Sequence, residues 1–171
     1  SGKLLQMASG MVYDENKQAQ WVHDAKIEGL KSIMEELAEP LLVSYWFQWE
    51  IPMLRKAFPG IRFMKTQADQ DAWNAGKVDL MGIHPGSAAH GIDLQHGGRA
   101  ICHLTHHWNL ELYLQVNERI GPVRQMQSGY NRNVLHYSLL ARDTMDVEAV
   151  DRKHTKKTIQ DALMAARAHR G

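Results

Sequence analysis

The chain has 171 residues, 44% of them hydrophobic and 23% charged, which is typical of one globular domain with a sizeable core. Lys plus Arg (20) nearly balance Asp plus Glu (19), so a globally basic nucleic-acid binder is excluded but a local basic face is not. The sequence has no apolar run long enough for a membrane span, and its single cysteine, Cys102, excludes an intramolecular disulfide. We therefore expect residues 1–171 to form one domain that does not associate with membranes.

The first half of the chain predicts alternating helices and strands. Apolar residues at helical spacing predict a helix over residues 21–39, and the short apolar run 41–45 predicts a strand buried on both faces. Residues 50–58 form a predicted helix with Pro52 in its first turn. A weaker strand at 61–63 and a helix at 67–75 follow.

The second half continues the alternation and fixes the expected fold class. Its predicted elements are strands at 78–83 and 100–104, a helix at 110–120, a strand at 134–140, and helices at 144–150 and 158–168. Strands that alternate with helices predict an α/β domain with a mainly parallel sheet and helices on both faces. Right-handed crossovers then place the loops after the strands along one edge, where open α/β sheets bind ligands.

A loop of small residues follows the predicted strand 78–83. It reads His84-Pro85-Gly86-Ser87-Ala88-Ala89-His90-Gly91-Ile92-Asp93-Leu94-Gln95. Small residues let a backbone approach a phosphate or a neighbouring lobe closely, and glycine tolerates otherwise strained dihedral angles. Ser87 can donate a hydrogen bond, and Asp93 can accept one from a ribose hydroxyl or orient a neighbour. The loop alone also fits an ordinary turn between a strand and a helix.

Two arginines mark the end of the predicted helix 110–120. Gln115 and Arg119 are four residues apart and therefore share one helix face. Gly121-Pro122 is expected to end the helix and to leave Arg124 in the loop beyond it. A guanidinium stays charged and makes bidentate contacts, so it suits the charge that develops on a phosphate during phosphoryl transfer. Two isolated arginines would equally suit a solvated face of salt bridges.

In combination these segments resemble a known family. The loop 84–95 and the pattern Gln-x-x-Glu-Arg-x-Gly-Pro-x-Arg-Gln at 115–125 resemble the fifth and sixth motifs of superfamily-two helicases, in particular the Swi/Snf-related ATPases of phages and bacteria. Residues 41–47 are similar to the fourth motif, and residues 3–10 and 26–36 to the lead-in to the second RecA-like lobe. Residues 134–140 and 141–146 resemble the final strand and the turn into the closing helices.

The resemblance implies that the chain is one of the two lobes of a motor ATPase. It implies a three-layer RecA-like domain that acts as the second motor lobe of a DNA-dependent ATPase or translocase on double-stranded DNA. The chain has no Gly-x-x-x-x-Gly-Lys-Ser/Thr phosphate loop, so ATP and Mg²⁺ are expected on an N-terminal lobe in cis. Residues 1–171 alone are expected to be monomeric and inactive, in the cytoplasm of a bacterial host.

The resemblance also implies the roles of particular residues. Arg124 is the expected arginine finger and Arg119 its nearest rival, with Gln115 as a third catalytic residue and Gly91, Asp93 and Gln115 near the nucleotide. The expected contacts with DNA are Ser44, Tyr45, Trp46, His84, Pro85 and Ser87. Many Swi/Snf-related proteins place the two arginines three residues apart, whereas here they are five apart, which leaves open which arginine is the finger.

Two further interpretations compete with this assignment. Six of the ten histidines lie between His84 and His107, but they are scattered through a loop, a strand and a turn. A zinc site needs three or four converging ligands, so we predict no metal site and expect His103, His106 and His107 at the sheet edge near the interlobe cleft. The alternative function is a stand-alone, non-catalytic module that binds nucleic acid or protein and has a RecA-like fold, because fold does not determine function.

Overall fold

The structure is a computed structural model that describes residues 7, 10–16, 18–21, 23–87, 91–141 and 145–168. It begins with an antiparallel hairpin of β1 (Met11–Tyr13) and β2 (Ala19–Trp21). The remaining elements are α1 (Ala25–Leu37), β3 (Leu41–Ser44), α2 (Glu50–Ala57), β4 (Arg62–Phe63), α3 (Gln67–Asn74), β5 (Leu80–Ile83), β6 (Ala100–His103), α4 (Leu110–Glu118), α5 (Pro122–Gln127), β7 (Leu135–Ser138) and α6 (Met145–Ala168).

Five of the strands form a parallel sheet in the order β4-β5-β3-β6-β7. Every residue of β3, β5 and β6 is buried, as expected of strands covered by helices on both faces. The register aligns Ser44 with Ile83 and with His103, and aligns His103 with Ser138, so the strands end together at one edge. The predicted α/β fold with a parallel sheet is confirmed.

The core has two layers because successive side chains of a strand point to opposite faces. On one face Leu41 and Val43 pack with Leu30 of α1 and Leu54 of α2. On the other face the side chains of the strands pack with α3 and α4. This cluster contains Leu42, Met81, Ile83 and Ile101 of the strands, Trp73 of α3, Val116 of α4 and Ile120. Cys102, in β6, is buried as predicted, and burial raises the pKa of its thiol to about 12.

Trp73 fixes the long connection between β5 and β6. Its side chain is fully buried, and its indole Nε1 donates a hydrogen bond to the Leu94 carbonyl oxygen at 2.8 Å. Gly97 passes so close that an added Cβ would lie 2.3 Å from the Trp73 carbonyl oxygen and 2.5 Å from the indole ring. The segment that carries Asp93 is therefore held against the core by one aromatic side chain and one glycine.

Three predicted boundaries are wrong, each for a local physical reason. The first helix begins at Ala25 instead of Trp21, because Trp21 pairs with Met11 in the hairpin. Pro122 is the first residue of α5, with Gly121 as its N-cap, so Arg124 lies in a helix and not in a loop. The two predicted C-terminal helices form one helix of 24 residues, α6, whose sequence contains no Gly or Pro. Within the described residues, no helix is both long and apolar enough to cross a membrane.

Replacing Gly97 by Ala should destabilise the fold, because the added methyl group overlaps the backbone of Trp73. The expected loss is about 1–3 kcal/mol in the free energy of unfolding, the usual scale of overpacking. Chemical denaturation of the purified chain measures it. Gly60→Ala is the matched control, since nothing lies within 4 Å of its added Cβ. Equal stabilities of the two variants would contradict this close packing.

Candidate functional site

The residues predicted to be functional lie on loops and helices that follow the carboxyl ends of the parallel strands. These ends meet at one edge, because β5, β3, β6 and β7 are in register there. The structure separates the predicted residues into two groups. One group surrounds the turn between α4 and α5, and the other lies on the loops after β3 and β5.

The first group brings Arg119, Arg124 and Asp93 together. Arg119 is the C-cap of α4, and Arg124 lies one turn into α5, so the Gly121-Pro122 turn joins the two arginines. The Arg124 guanidinium forms an ion pair with the Asp93 carboxylate, whose side chain is 54% exposed. The Leu94 backbone N–H donates to the Arg119 carbonyl oxygen at 3.3 Å, which ties the loop to the turn.

Arg119 has fewer partners for its charge than Arg124, which forms an ion pair. Its side chain is buried, and among the described residues no hydrogen-bond partner contacts its Nε. Burial lowers the pKa of Arg119 and the charge of Arg124 lowers it further, whereas Asp93 and Glu118 raise it. Two guanidiniums thus share the nearby carboxylate of Asp93. An anion beside Arg119 would stabilise the site, because a buried cation is costly without a partner.

Gln115 and Gly91 flank this group. Gln115 and Arg119 both line a cleft of about 610 Å³ between α4 and Gln160 of α6, as expected from their shared helix face. The Gln115 amide donates to Glu111 at 3.1 Å, while its buried carbonyl oxygen has no hydrogen-bond partner in the described part of the chain. Gly91 has a φ of +67°, which other residues rarely adopt. Ala88, Ala89 and His90 of the same loop lie outside the described residues.

Behind the arginines lies a polar network that sequence reasoning missed. The buried Gln125 amide donates to the carbonyl oxygens of Gly98, at 2.9 Å, and Ile120, at 3.1 Å, and accepts from Arg132 Nε at 2.7 Å. Arg132 also donates to the Gln95 carbonyl oxygen at 2.7 Å. These bonds attach α5 to the loop that carries Asp93. Gln125 belongs to the family-like pattern, but nothing in the sequence singles out Arg132.

The second group is built around a stacked Trp46. Its indole stacks with two imidazoles, with ring centroids 5.1 Å from His84 and 4.3 Å from His107, and both pairs are nearly parallel. His84 Nδ1 accepts from the Gly86 N–H at 3.1 Å, so its Nε2–H must donate to the Trp46 carbonyl oxygen at 3.2 Å. Burial lowers the pKa of His84 and the bond to the Trp46 carbonyl oxygen raises it, while the bond from the Gly86 N–H requires an unprotonated Nδ1.

The predicted DNA contacts differ in their accessibility. Ser44, Tyr45 and Pro85 are buried, whereas Trp46, His84 and Ser87 are partly exposed. The Ser87 hydroxyl donates to the His84 carbonyl oxygen at 2.7 Å. In this conformation the surface available to a DNA strand therefore consists of Trp46, His84, Ser87 and the backbone around them.

Glu50 connects the loops after β3 and β6. Its fully buried carboxylate accepts hydrogen bonds from the backbone N–H groups of Trp46, at 2.8 Å, and Phe47, at 2.7 Å. Its other oxygen accepts from the Thr105 hydroxyl. Burial raises the pKa of Glu50, while the bonds from Thr105 and the two amides lower it. The carboxylate thus fixes the loop that presents Trp46.

His103, His106 and His107 are buried side chains at the carboxyl edge of β6. Burial, together with the charge of Lys153, lowers their pKa values to about 3, 2 and 3 respectively. His103 Nε2 lies 2.9 Å from the Asn117 side-chain oxygen, to which it donates. Across the described residues, no group of three His, Cys, Asp or Glu side chains is arranged to hold a metal ion.

Comparison with known proteins supports the fold and a phage relationship. No family model matches the chain. It is 42% identical over 167 residues to "Putative protein p41" of Acyrthosiphon pisum secondary endosymbiont phage 1, a match that covers 96% of this chain and 36% of the relative. The chain thus spans about a third of the length of this relative.

A solved structure shares the architecture. The crystal structure of the C-terminal part of the Fun30 ATPase domain aligns with a TM-score of 0.63 at 16% identity, over 75% of this chain and 44% of that one. At this identity the likeness establishes the fold alone. The domain therefore has the RecA-like architecture predicted from the sequence, in the form seen in the C-terminal part of an ATPase domain.

The buried histidines should make stability depend on pH. An imidazole with a lowered folded pKa contributes stability that is complete above its unfolded pKa of about 6.5 and is lost as pH falls towards its folded pKa. At pH 5 each of His103, His106 and His107 should cost about 2 kcal/mol, because folding keeps it neutral. Urea unfolding at pH 7.5 and pH 5 measures the loss.

His107→Gln is the informative variant for this prediction. Between pH 7.5 and pH 5 its free energy of unfolding should fall by about 2 kcal/mol less than that of the parent chain, since one imidazole no longer titrates. Glu50 acts in the opposite sense because its folded pKa is raised, and it cancels when the variant is compared with its parent. If the stabilities of the variant and the parent depend on pH in the same way, His107 is protonated at pH 5 in the folded protein as it is in the unfolded chain, and the prediction is wrong.

Proposed function

We propose that this chain is the second motor lobe of a DNA-dependent ATPase, a helicase-like translocase, and acts with an N-terminal lobe in cis. The observation that carries the proposal is the convergence of Arg119 and Arg124 beside Asp93, with Arg119 short of partners. The fold shared with the C-terminal part of an ATPase domain supports it. The phage relative supports it too, since a match to 36% of its length leaves room for another lobe.

In this proposal the N-terminal lobe supplies the phosphate loop, the Mg²⁺ site and most of the affinity for ATP. Closure of the two lobes brings Arg124, with Arg119 beside it, towards the γ-phosphate. The phosphate oxygens then take over from Asp93 as the partner of Arg124, and the guanidinium stabilises the charge that develops during phosphoryl transfer. Gly91, Asp93 and Gln115 lie at the margin of this site and contact the nucleotide or the N-terminal lobe.

The same closure moves DNA. The partly exposed Trp46, His84 and Ser87 hold the phosphates of one strand, and the buried Ser44, Tyr45 and Pro85 shape the loops that present them. Alternating closure and opening, driven by ATP binding and hydrolysis, shifts the grip on the duplex stepwise. The stacked indole suits this role, because a held ring presents its edge without losing conformational freedom.

The alternative, a stand-alone binding module, also has an observation in its favour. Arg124 is already paired with Asp93, and three of the six residues expected to contact DNA are buried. A module of this kind would use the arginines as structural ion pairs. Enzyme kinetics distinguishes the two functions.

Arg124→Ala in the complete two-lobe protein should lower kcat by about 100-fold or more and leave the Kd for ATP nearly unchanged, because the guanidinium acts mainly in the transition state. Arg124→Lys should not restore full activity, since an ammonium cannot make the bidentate contact. Steady-state ATPase assays with DNA, combined with nucleotide-binding measurements, test this. Arg62→Ala is the control, since Arg62 lies in the edge strand β4 and pairs with Asp69.

Two other outcomes of the same assay are informative. A larger kcat defect for Arg119→Ala would move the finger to Arg119 and keep the motor function. If neither substitution changes kcat by more than a few-fold in a folded protein, the arginines are structural and the motor proposal is wrong.

The 171-residue chain alone should bind duplex DNA weakly and with little sequence preference. About two to four phosphate contacts would weaken binding roughly 10- to 100-fold between about 50 and 200 mM salt, because binding releases counterions. Fluorescence anisotropy with two duplexes of unrelated sequence measures both properties. Tight binding that is insensitive to salt and selective for sequence would favour the stand-alone module instead.

A further inference from the structure

A second cleft lies between α4, β7 and α6, on the side of α4 where neither Arg119 nor Arg124 contributes to its wall. Its volume is about 360 Å³, within the usual range for small-molecule sites. The apolar part of its wall comes mainly from α4 and α6, and the polar part from α4, α6 and β7. This cleft has no role in the proposed motor function.

The spacing of the polar residues explains why they converge. Lys153 and Lys157 are four residues apart on α6, with His154 between them on the same side, so the three share one helix face. His136 and Ser138 are two residues apart on β7 and therefore lie on the same face of the strand. A cationic helix face thus meets the polar face of an edge strand.

The positive charges in this cleft have little compensation. Glu118 contributes the only carboxylate among the described residues of the wall. Lys153 is only 4% exposed, and its Nζ lies 3.5 Å from His106 Nδ1 and 4.3 Å from the Tyr113 ring centroid.

The electrostatic effects within the cleft agree with this excess of positive charge. Burial lowers the pKa of Lys153 to about 8, although the charge of Asp146 acts in the opposite direction. The pKa of His136 is lowered by burial and then by the charge of Lys157. An anion in the cleft would offset the cost of burying the Lys153 charge. It would also counter the effect of the Lys157 charge on His136.

We propose that this cleft binds a phosphate-bearing anion, with Lys153 at its buried end, Lys157 and His136 at its entrance, and Ser138 and His154 as hydrogen-bond donors. A phosphate suits this arrangement because it has several acceptor oxygens for donors that come from different elements, and lysine binds it as a point charge. The phosphate belongs either to a free phosphorylated compound or to a nucleic-acid backbone. The proposal does not rest on the motor function, since the catalytic arginines lie outside the cleft.

Pyrophosphate added to the 171-residue chain tests the proposal. The ring C–H signals of His136 and His154 in NMR spectra should shift saturably, and the pKa of His136 should rise, because a bound anion stabilises the imidazolium. Lys157→Ala should weaken binding about 5- to 10-fold, a change of the size expected from losing one close charge. Lys156→Ala is the matched control, because Lys156 is exposed on the neighbouring helix face and does not line the cleft.

Competition then identifies the source of the phosphate. Displacement of pyrophosphate by a short DNA duplex would assign the cleft to backbone phosphates, and failure to displace it would assign the cleft to a free phosphorylated compound. The absence of saturable shifts up to about 10 mM pyrophosphate would overturn the proposal, since a weaker site has no biological use at ordinary concentrations. Equal weakening by Lys156→Ala and Lys157→Ala would overturn it too.

Discussion

The buried carboxylate of Glu50 is the interaction on which the geometry of the sheet edge depends. It accepts two backbone N–H groups from the loop after β3 and the Thr105 hydroxyl from the loop after β6. Central parallel strands fix where loops begin but not the paths that they follow. A fully buried carboxyl group that accepts three hydrogen bonds fixes those paths, because releasing any of the donors would leave a buried polar group short of hydrogen bonds. The indole of Trp46 is held in place as a result.

The arginine group depends on a comparable constraint at the other end of the edge. Gln125 uses both amide hydrogens and its oxygen to join α5 to the β5–β6 connection, which Trp73 in turn fixes against the core. Arg124 and Asp93 lie on the two segments that this network joins. Both candidate sites are therefore positioned by buried polar side chains that never reach the surface where ligands would bind.

The sequence predicted those features that depend on local pattern. Apolar runs of four or five residues alternating with amphipathic segments were enough for the parallel sheet, and the spacing of Gln115 and Arg119 was enough for their shared cleft. The Arg124–Asp93 pair could not be predicted, since its residues are 31 positions apart and meet only through tertiary structure. The same holds for Arg132 and for the imidazoles around Trp46. The continuity of α6 was missed although the absence of Gly and Pro indicated it.

Cys102 has a consequence for how motion of this domain can be observed. The thiol lies in the middle of the sheet, fully buried, with a pKa raised to about 12, and a protonated, inaccessible thiol does not react with maleimide dyes. A cysteine introduced at an exposed position would thus be the single reactive thiol of the 171 residues, with the native residue left in place. Dyes attached in this way would report distances to a second lobe or to DNA on an otherwise unaltered core.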